Sequence, residues 1–452
     1  MPSLDKKIIR EYNATRSIFK RKYLCYAPFT NMYFNIHGDA APCWASFIQP
    51  DSYPAHSIKE IWKGKKFNQM RRDIKHYRLE NTCGACLTNL QNGNYISVLS
   101  KAYDLTAAHG KYPVMMELEL DNTCNLECIM CKGQLSSSIR KNREKKPPFL
   151  SPYDDAFVEQ LNEFIPHLKE MRMNGGEPFL SATCRKIWNN VARLNPSLKI
   201  VVATNGTQWN DKVQEILESG NFHINVSIDS LTKNIYESIR VNADFDKVMQ
   251  NFERFHQYCK SKGTVICLLV NPMRENWHEM PDFVNFCNER NIPLWFNTIQ
   301  QPAEHSIWAL PTAKLENIYN TLSEIHIEPI QDKQESFHNV KVYNNLVHTQ
   351  IYNWLQESKM PKPKIPSEHG LNEQDFYERM LILMKQRKFN DTQIKHEMEI
   401  IHSKIDGILR FLEANNIDVK EAHQSIKNIP VEILYDELIN NPVEELIKKI
   451  KF

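Results

Sequence analysis

Three cysteines with the spacing C-x3-C-x2-C, Cys124, Cys128 and Cys131, are the residues in this chain best suited to chemistry. A closed [4Fe–4S] cluster takes four cysteine ligands, so three thiolates would leave one iron open. An open metal position also distinguishes catalytic from structural zinc sites. The open iron could bind a substrate or cofactor and pass it an electron. The alternative, an incomplete zinc knuckle, lacks a fourth Cys or His at finger spacing.

The segments around these cysteines predict where they lie in the fold. Residues 112–120 alternate weakly between apolar and polar side chains, which is typical of a buried strand, and the cysteines follow its end. A second predicted strand leads into Gly175, Gly176, Glu177 and Pro178. The two glycines allow close backbone approach to a ligand, and Glu177 can accept a hydrogen bond from an ammonium group. Parallel α/β folds place their chemistry at such strand ends.

Together, the cysteine triplet and the Gly-Gly-Glu-Pro loop resemble the motifs of the radical S-adenosylmethionine (SAM) enzymes. The resemblance implies a [4Fe–4S] cluster on Cys124, Cys128 and Cys131, whose open iron is chelated by the methionine part of SAM. One electron then cleaves the sulfonium and releases a 5′-deoxyadenosyl radical, which takes a hydrogen atom from the substrate. Gly175, Gly176 and Glu177, ahead of Pro178, are expected to receive the methionine amino group.

Further SAM contacts are implied by the same resemblance. Ser227 is expected to bond the ribose hydroxyls, with Asp229 nearby, although both could be ordinary strand-end turn residues. Arg240 is expected to meet the methionine carboxylate, because a guanidinium fork suits that shape, or else to form a surface ion pair. The backbone of Met130 is expected at the adenine, and Asn271 is expected to line the site.

Four more strand-like segments follow the first two, at residues 198–206, 222–229, 263–271 and 293–298, with helical patterns between them. Six strands alternating with helices predict right-handed βαβ units and a parallel sheet, an α/β fold. The resemblance implies a partial (β/α)6 barrel, a radical SAM core domain, over residues 113–302.

A second cysteine set precedes this core: Cys25, Cys43, Cys83 and Cys86, in the pattern C-x12-G-x4-C followed by C-x2-C. The first pair would lie on a hairpin, since residues 31–36 are strand-like and residues 37–39 turn-like. By spacing alone, four thiolates suit a closed iron–sulfur cluster or a structural zinc ion equally well.

The segment between the two pairs resembles the helix of the SPASM and twitch auxiliary-cluster domains found in radical SAM enzymes. It reads Ser-Ile-Lys-Glu-Ile-Trp over residues 57–62, followed by Phe67 and Arg71. Because only four cysteines are available, the resemblance implies one auxiliary [4Fe–4S] cluster, the shorter twitch form, in a domain of residues 1–106, with zinc as the alternative. In many relatives this module follows the barrel, whereas here it precedes it.

Residues 303–452 change character and show helical spacing of Ile, Leu, Tyr and Phe. This region is expected to be mainly helical and to cap the barrel or bind a substrate or partner. Residues 361–366, with three prolines, are predicted to form a stiff linker.

Composition excludes several function classes. The net charge of +2 provides no strong field for nucleic acid or a membrane surface, and no run approaches the ~18 apolar residues of a spanning helix. Two local basic stretches, residues 6–22 and 140–146, are read as solvated surface or as a landing site for an acidic peptide, a reductase or RNA. Eleven cysteines, seven at metal spacing, and no signal peptide favour the cytoplasm.

The predicted function is that of a radical SAM oxidoreductase or modifying enzyme that receives electrons from a donor such as flavodoxin or ferredoxin. A peptide is favoured as the substrate, because twitch and SPASM relatives often modify peptides. Dehydrogenation of a small molecule and modification of RNA are the enzymatic alternatives, and a structural metal-binding scaffold is the non-enzymatic one.

Overall fold

The computed structural model describes residues 4–16, 22–46, 51–79, 83–106, 110–299, 302–359, 391–414 and 431–440, together with isolated residues between 377 and 446. The chain divides into two compact units, residues 1–360 and residues 361–452. The predicted linker at residues 361–366 lies outside the described part of the chain.

One eight-stranded sheet runs through the first unit. Its strands are β1 (Asn31–Phe34), β2 (Ala40–Ala41), β3 (Met115–Glu119), β4 (Glu170–Asn174), β5 (Lys199–Thr204), β6 (Asn221–Ser227), β7 (Ile266–Val270) and β8 (Leu294–Phe296). The order across the sheet is β2-β1-β3-β4-β5-β6-β7-β8. Every pairing is parallel except that of β1 with β2.

Strands β3–β8 confirm the predicted partial (β/α)6 barrel. Side chains alternate along each strand, and one set packs under the helices in the main core, as Met171, Val202 and Ile224 do at 1% exposure or less. The other set lies on the inner face of the curved sheet and is partly accessible, as the burial pattern of β4, β5 and β6 shows. A ligand could therefore reach the inner side chains.

The helices of the barrel alternate with these strands. Their bounds are Ser137–Asn142, Asp155–Leu161, Ala182–Leu194, Asp211–Glu218, Lys233–Ile239, Phe245–Lys262 and Met280–Arg290, with 3-10 turns at Ile165–His167, Pro178–Leu180 and Trp277–Glu279. Several begin where a polar side chain caps the first free amides: Asp154 accepts a hydrogen bond from the backbone N–H of Phe157, and Asn210 from that of Val213.

The N-terminal segment extends the barrel sheet. The predicted hairpin is confirmed as β1 and β2, and β1 pairs in parallel with β3, placing Tyr33 beside Glu117. Its helices are Lys6–Ala14, Ala27–Thr30, Ile58–Lys63, Lys65–Lys75 and Gly84–Gln91, with 3-10 turns at Tyr95–Ser97 and Leu99–Thr106. Ser57 and Glu60 form a capping box at the start of the SPASM-like helix. This segment therefore supplies a barrel strand as well as four cysteines.

The described residues after β8 are mainly helical, as predicted. In the first unit it comprises 3-10 turns at Ala303–His305 and Ile307–Ala309, helices Thr312–Ser323, Gln334–Asn345 and Tyr352–Lys359, and a π-helical turn at Leu346–Ile351. The second unit contains helices Asp391–Ala414 and Val431–Asn440 around its own apolar core, which includes Met380, Ile401 and Leu438. Among the described residues, no helix combines the length and apolarity needed to cross a bilayer.

Candidate active site

The cysteine triplet lies just beyond the carboxyl end of β3, where it was predicted. Cys128 is buried, and Cys124 and Cys131 are half-buried. Burial raises the pKa of the Cys128 thiol to about 12, opposed by the nearby Arg240 guanidinium, and raises that of Cys131 to about 11. Cys124 and Cys131 also raise the pKa of Cys128, and Cys124 raises that of Cys131, so the three thiols lie within electrostatic range of each other. Such thiols ionise at neutral pH when a bound metal supplies positive charge.

The Gly-Gly-Glu-Pro loop packs directly on the cysteine loop. The backbone N–H of Glu177 donates to the carbonyl of Thr123 at 2.7 Å. Gly176 has a φ of +51°, and a Cβ there would lie 2.5 Å from that same Thr123 oxygen. Gly175 has a φ of +80°, and its Cβ would lie 3.2 Å from the Cβ of Glu119. Both positions require glycine, because their φ is positive and a Cβ would meet the neighbouring part of the chain. The close packing of the two loops places both motifs in one site.

The Glu177 carboxylate holds two strand ends together. It is fully buried, and it accepts hydrogen bonds from the hydroxyl of Thr204 at 2.9 Å and from the backbone N–H of Asn205 at 2.7 Å. Burial raises the pKa of Glu177 to about 7, and these hydrogen bonds act in the opposite direction. Both carboxylate oxygens accept hydrogen bonds from residues at the end of β5, which fixes the carboxylate in place. A direct bond from Glu177 to a methionine amino group stays a prediction, and Pro178 is buried.

Asn205 is a site residue that the sequence analysis missed. Its side-chain Nδ2 lies 3.8 Å from the Cys124 sulfur and donates to the side-chain Oδ1 of Asn125 at 3.0 Å. Asn205 therefore links the cysteine triplet to Glu177. The available signal was its position at the end of the predicted strand 198–206, because the carboxyl ends of neighbouring parallel strands meet at one edge.

Asp229 and Arg240 form a buried ion pair, with 2.7 Å between Oδ2 and Nη2. The Oδ1 atom of Asp229 accepts from both the backbone N–H and the side-chain Nδ2 of Asn271, at 2.8 and 3.0 Å. Among the described residues, the buried Nε of Arg240 and the buried hydroxyl of Tyr236 have no hydrogen-bond partner. Both residues interact electrostatically with Cys128. These donors fit a ligand that brings acceptor atoms next to the cysteine triplet.

The remaining predicted SAM contacts lie near this edge. Ser227 is the last residue of β6 and is half-buried on the inner face. Met130 is half-buried one residue before Cys131. The contacts of Ser227 with ribose, of Arg240 with carboxylate and of Met130 with adenine stay predictions, as does the role of Asn271.

The four N-terminal cysteines also come together. Burial raises the pKa of the Cys25 thiol well above its usual range, and Cys43, Cys83 and Cys86 raise it further. Cys25 accepts a hydrogen bond from the backbone N–H of Ala27 at 3.4 Å, and backbone amides also bond the sulfurs of Cys43 and Cys86. Amide donors to sulfur suit thiolate ligands of a cluster. Among the described residues, no three Cys, His, Asp or Glu side chains are arranged to hold a single metal ion.

Comparisons with known families agree with both sites. Residues 118–287 match the model of the radical SAM superfamily, and residues 25–87 match the SPASM model, an iron–sulfur cluster-binding domain. Residues 118–287 thus form a radical SAM domain, and the SPASM domain of residues 25–87 precedes it in the chain. Radical SAM and SPASM domains imply SAM and [4Fe–4S] clusters as the cofactors.

Curated relatives match part of the chain. A GTP 3′,8-cyclase of Vibrio parahaemolyticus is 29% identical over 190 residues, which cover 42% of this chain and 55% of the relative. A GTP 3′,8-cyclase of Clostridium botulinum is 22% identical over 188 residues, covering 42% of this chain and 57% of the relative. The chain thus spans little more than half the length of these relatives.

Solved structures show weaker likeness. SuiB of Streptococcus suis, bound to its precursor peptide SuiA, is 13% identical with a TM-score of 0.36, covering 59% of this chain and 61% of that chain. The protein anSMEcpe with bound AdoMet is 17% identical with a TM-score of 0.35, covering 46% of this chain and 60% of that chain.

Proposed function

We propose that this protein cleaves SAM reductively at a [4Fe–4S] cluster held by Cys124, Cys128 and Cys131, and so removes a hydrogen atom from a peptide. The observation that carries the proposal is the contact between the cysteine loop and the glycine loop at Thr123 and Gly176. That contact joins a three-thiol cluster site to a backbone surface open to a small ligand. When bound, the cluster supplies one electron to SAM.

The residues around the thiols bind and orient the cofactor. The backbone of Gly175 and Gly176 offers the close approach that the methionine amino group needs. The free Nε of Arg240 and the hydroxyl of Tyr236 are donors for the carboxylate, while Asp229 holds the guanidinium in place. Buried donors of this kind favour a charged ligand more strongly than donors in water do.

The four N-terminal thiols, of Cys25, Cys43, Cys83 and Cys86, are proposed to hold one auxiliary [4Fe–4S] cluster, with zinc as the alternative. They adjoin the barrel because Asn31 donates both to the carbonyl of Pro42 and to the Glu117 carboxylate, each at 2.8 Å. A donor such as flavodoxin or ferredoxin is proposed to supply the electron.

Two observations support a peptide substrate. Residues 25–87 match the SPASM model, an iron–sulfur cluster-binding domain, and the family resemblance implies that proteins with such a domain often modify peptides. The charged residues of the barrel strands are three carboxylates and two cations, a balance that suits a triphosphate poorly. The second candidate is a nucleotide, because curated relatives that match 42% of this chain are named GTP 3′,8-cyclases.

The first test is release of 5′-deoxyadenosine by the anaerobically reconstituted protein with SAM and dithionite. We expect Cys124→Ala to abolish release and to lower the iron content by about four atoms per chain, because the cluster loses one of its three ligands. Iron assay and mass spectrometry measure the two effects. Cys259→Ala is the matched control, because Cys259 is a buried thiol in helix Phe245–Lys262 and should keep iron and activity.

Release of 5′-deoxyadenosine by Cys124→Ala at the wild-type rate would contradict the proposal. The substrate class is tested separately, by adding peptides or GTP to the wild-type reaction and searching for a product that has lost hydrogen or formed a new bond. A GTP-derived product would show that the substrate is the nucleotide and not a peptide.

A further inference from the structure

The inner face of the barrel carries a nearly balanced set of charges. In the described strands, the charged residues are Glu117, Glu119, Glu170, Arg172 and Lys199. Arg172 lies 2.6 Å from Glu170 and 4.0 Å from Glu117, and Lys199 lies 3.0 Å from Glu170. Two cations therefore neutralise two carboxylates.

Glu119 is the carboxylate left over. Among the described residues, no Lys, Arg or His lies within ion-pair distance of it, and the Tyr33 hydroxyl donates to its Oε2 at 2.7 Å. Burial raises the pKa of Glu119, the neighbouring Glu117 raises it further, and Tyr33 lowers it. An unpaired charge in a low-dielectric site costs free energy, so such a group is a candidate for a functional role.

The position of Glu119 points to the reaction centre. It is the last residue of β3 and pairs with Asn174 in the register of β3 and β4. A Cβ on Gly175 would lie 3.2 Å from the Cβ of Glu119, so the Glu119 side chain begins beside the glycine loop proposed to hold SAM. Only five positions separate Glu119 from Cys124. Its side chain lies on the inner face, where a substrate within reach of the cofactor must also lie.

We infer that Glu119 contacts the substrate and selects a protonated amine or guanidinium group on it. The inference rests on the proposed function and adds to it the chemistry of the substrate: a peptide whose reacting region carries a basic side chain. Tyr33 fixes one oxygen of the carboxylate and leaves Oε1 for the substrate. The N-terminal segment, through β1, thereby helps to position a group that reads the substrate.

Binding of peptides to the reconstituted protein with SAM tests this selection. The probes are fluorescent hexapeptide libraries with random flanks and one fixed central residue: lysine or norleucine, and arginine or citrulline. The two residues of each pair differ in charge, but their side chains have nearly the same length. We expect the wild-type protein to bind the charged member at least about tenfold more tightly than its neutral partner, as measured by anaerobic fluorescence anisotropy.

Glu119→Gln should remove this preference while leaving the neutral peptides unchanged. Glu163→Gln is the matched control, because Glu163 also accepts a tyrosine hydrogen bond, from Tyr112 at 2.8 Å, but on the exposed surface. It should keep the tenfold preference. Tyr33→Phe removes the hydrogen bond to Glu119 and leaves the carboxylate in place, so it should keep the preference for charged peptides within about threefold. This variant supplies a second measurement if the Glu119→Gln protein does not fold.

The results that would overturn the inference are equal binding of charged and neutral libraries by the wild-type protein, binding of none of them, or equal losses in Glu119→Gln and Glu163→Gln. Release of 5′-deoxyadenosine is measured in parallel on the same preparations. A protein that cleaves SAM but shows no charge preference refutes the role of Glu119 alone. A wild-type protein that never cleaves SAM refutes the proposed function, and the role of Glu119 with it.

Discussion

At the scale of single residues, Gly176 is where the two motifs depend most on each other. We expect Gly176→Ala to destabilise the protein by about 2–4 kcal/mol, because the added Cβ would lie 2.5 Å from the Thr123 oxygen at a φ of +51°. It should also weaken SAM binding, because the cysteine loop must move. Thermal unfolding measures the first effect and equilibrium dialysis with labelled SAM the second.

Gly263→Ala separates backbone strain from crowding. Gly263 has a φ of +67°, yet nothing lies within 4 Å of its would-be Cβ. As the control, Gly263→Ala should lower the free energy of unfolding by about 1 kcal/mol and leave SAM binding intact. Equal effects of the two substitutions would show that the contact between the loops contributes nothing.

The same residues show how far the sequence could predict the site. The cysteines, Gly175 and Gly176 carry a signal in their type and spacing, and the structure brings them together. Asn205 and Tyr236 carry no such signal, because their roles depend on which strand ends and helices become neighbours. The pairing of Arg240 with Asp229 was equally inaccessible, since eleven positions along the chain do not reveal a contact across the edge of a sheet.

At the scale of elements, the strands were predictable because each is a short apolar run that alternates with a helix. The membership of β1 in the barrel sheet was not predictable. A four-residue strand can pair with many edges, and its choice of β3 depends on inner-face contacts such as that of Asn31 with Glu117. Burial of the cluster-bearing segment against the barrel follows from that pairing.

His223 gives β6 a measurable pH dependence. Its Nδ1 accepts a hydrogen bond from the backbone N–H of Val265 at 3.1 Å, and burial, helped by Lys199, lowers its pKa from 6.5 to about 4. A lowered pKa means that its stabilising contribution is present above pH 6.5 and is lost as the pH falls towards 4. We expect this loss to be about 1–2 kcal/mol, allowing for partial exposure.

His223→Asn removes the titrating ring and keeps an acceptor near the position of Nδ1. Its free energy of unfolding should fall less than that of the wild-type protein between pH 7 and pH 5, measured by urea unfolding. His256→Asn, on the outer helix Phe245–Lys262, should follow the wild-type curve. Parallel curves for all three proteins would rule out His223 as the titrating group.

At the scale of the whole molecule, the proposed domains of residues 1–106 and 113–302 share one sheet, whereas residues 361–452 form a unit with its own core. Because the second unit has its own core and the first shares one sheet, removing residues 361–452 and removing residues 1–106 should have different effects on folding. Removing residues 361–452 leaves every strand and both cysteine sets in place. Removing residues 1–106 exposes the edge of β3 and strips Glu117 of Asn31 and Tyr103, whose hydrogen bonds to it measure 2.8 and 2.6 Å.

We therefore expect a protein of residues 1–359 to unfold cooperatively and to bind iron at both cysteine sites. A protein of residues 113–359 should aggregate or lack a cooperative transition, because an unpaired strand edge and a buried carboxylate without donors are both unfavourable. Size-exclusion chromatography, thermal unfolding by circular dichroism and iron content compare the two. A monomeric, cooperatively folded protein of residues 113–359 would show that the barrel folds without β1.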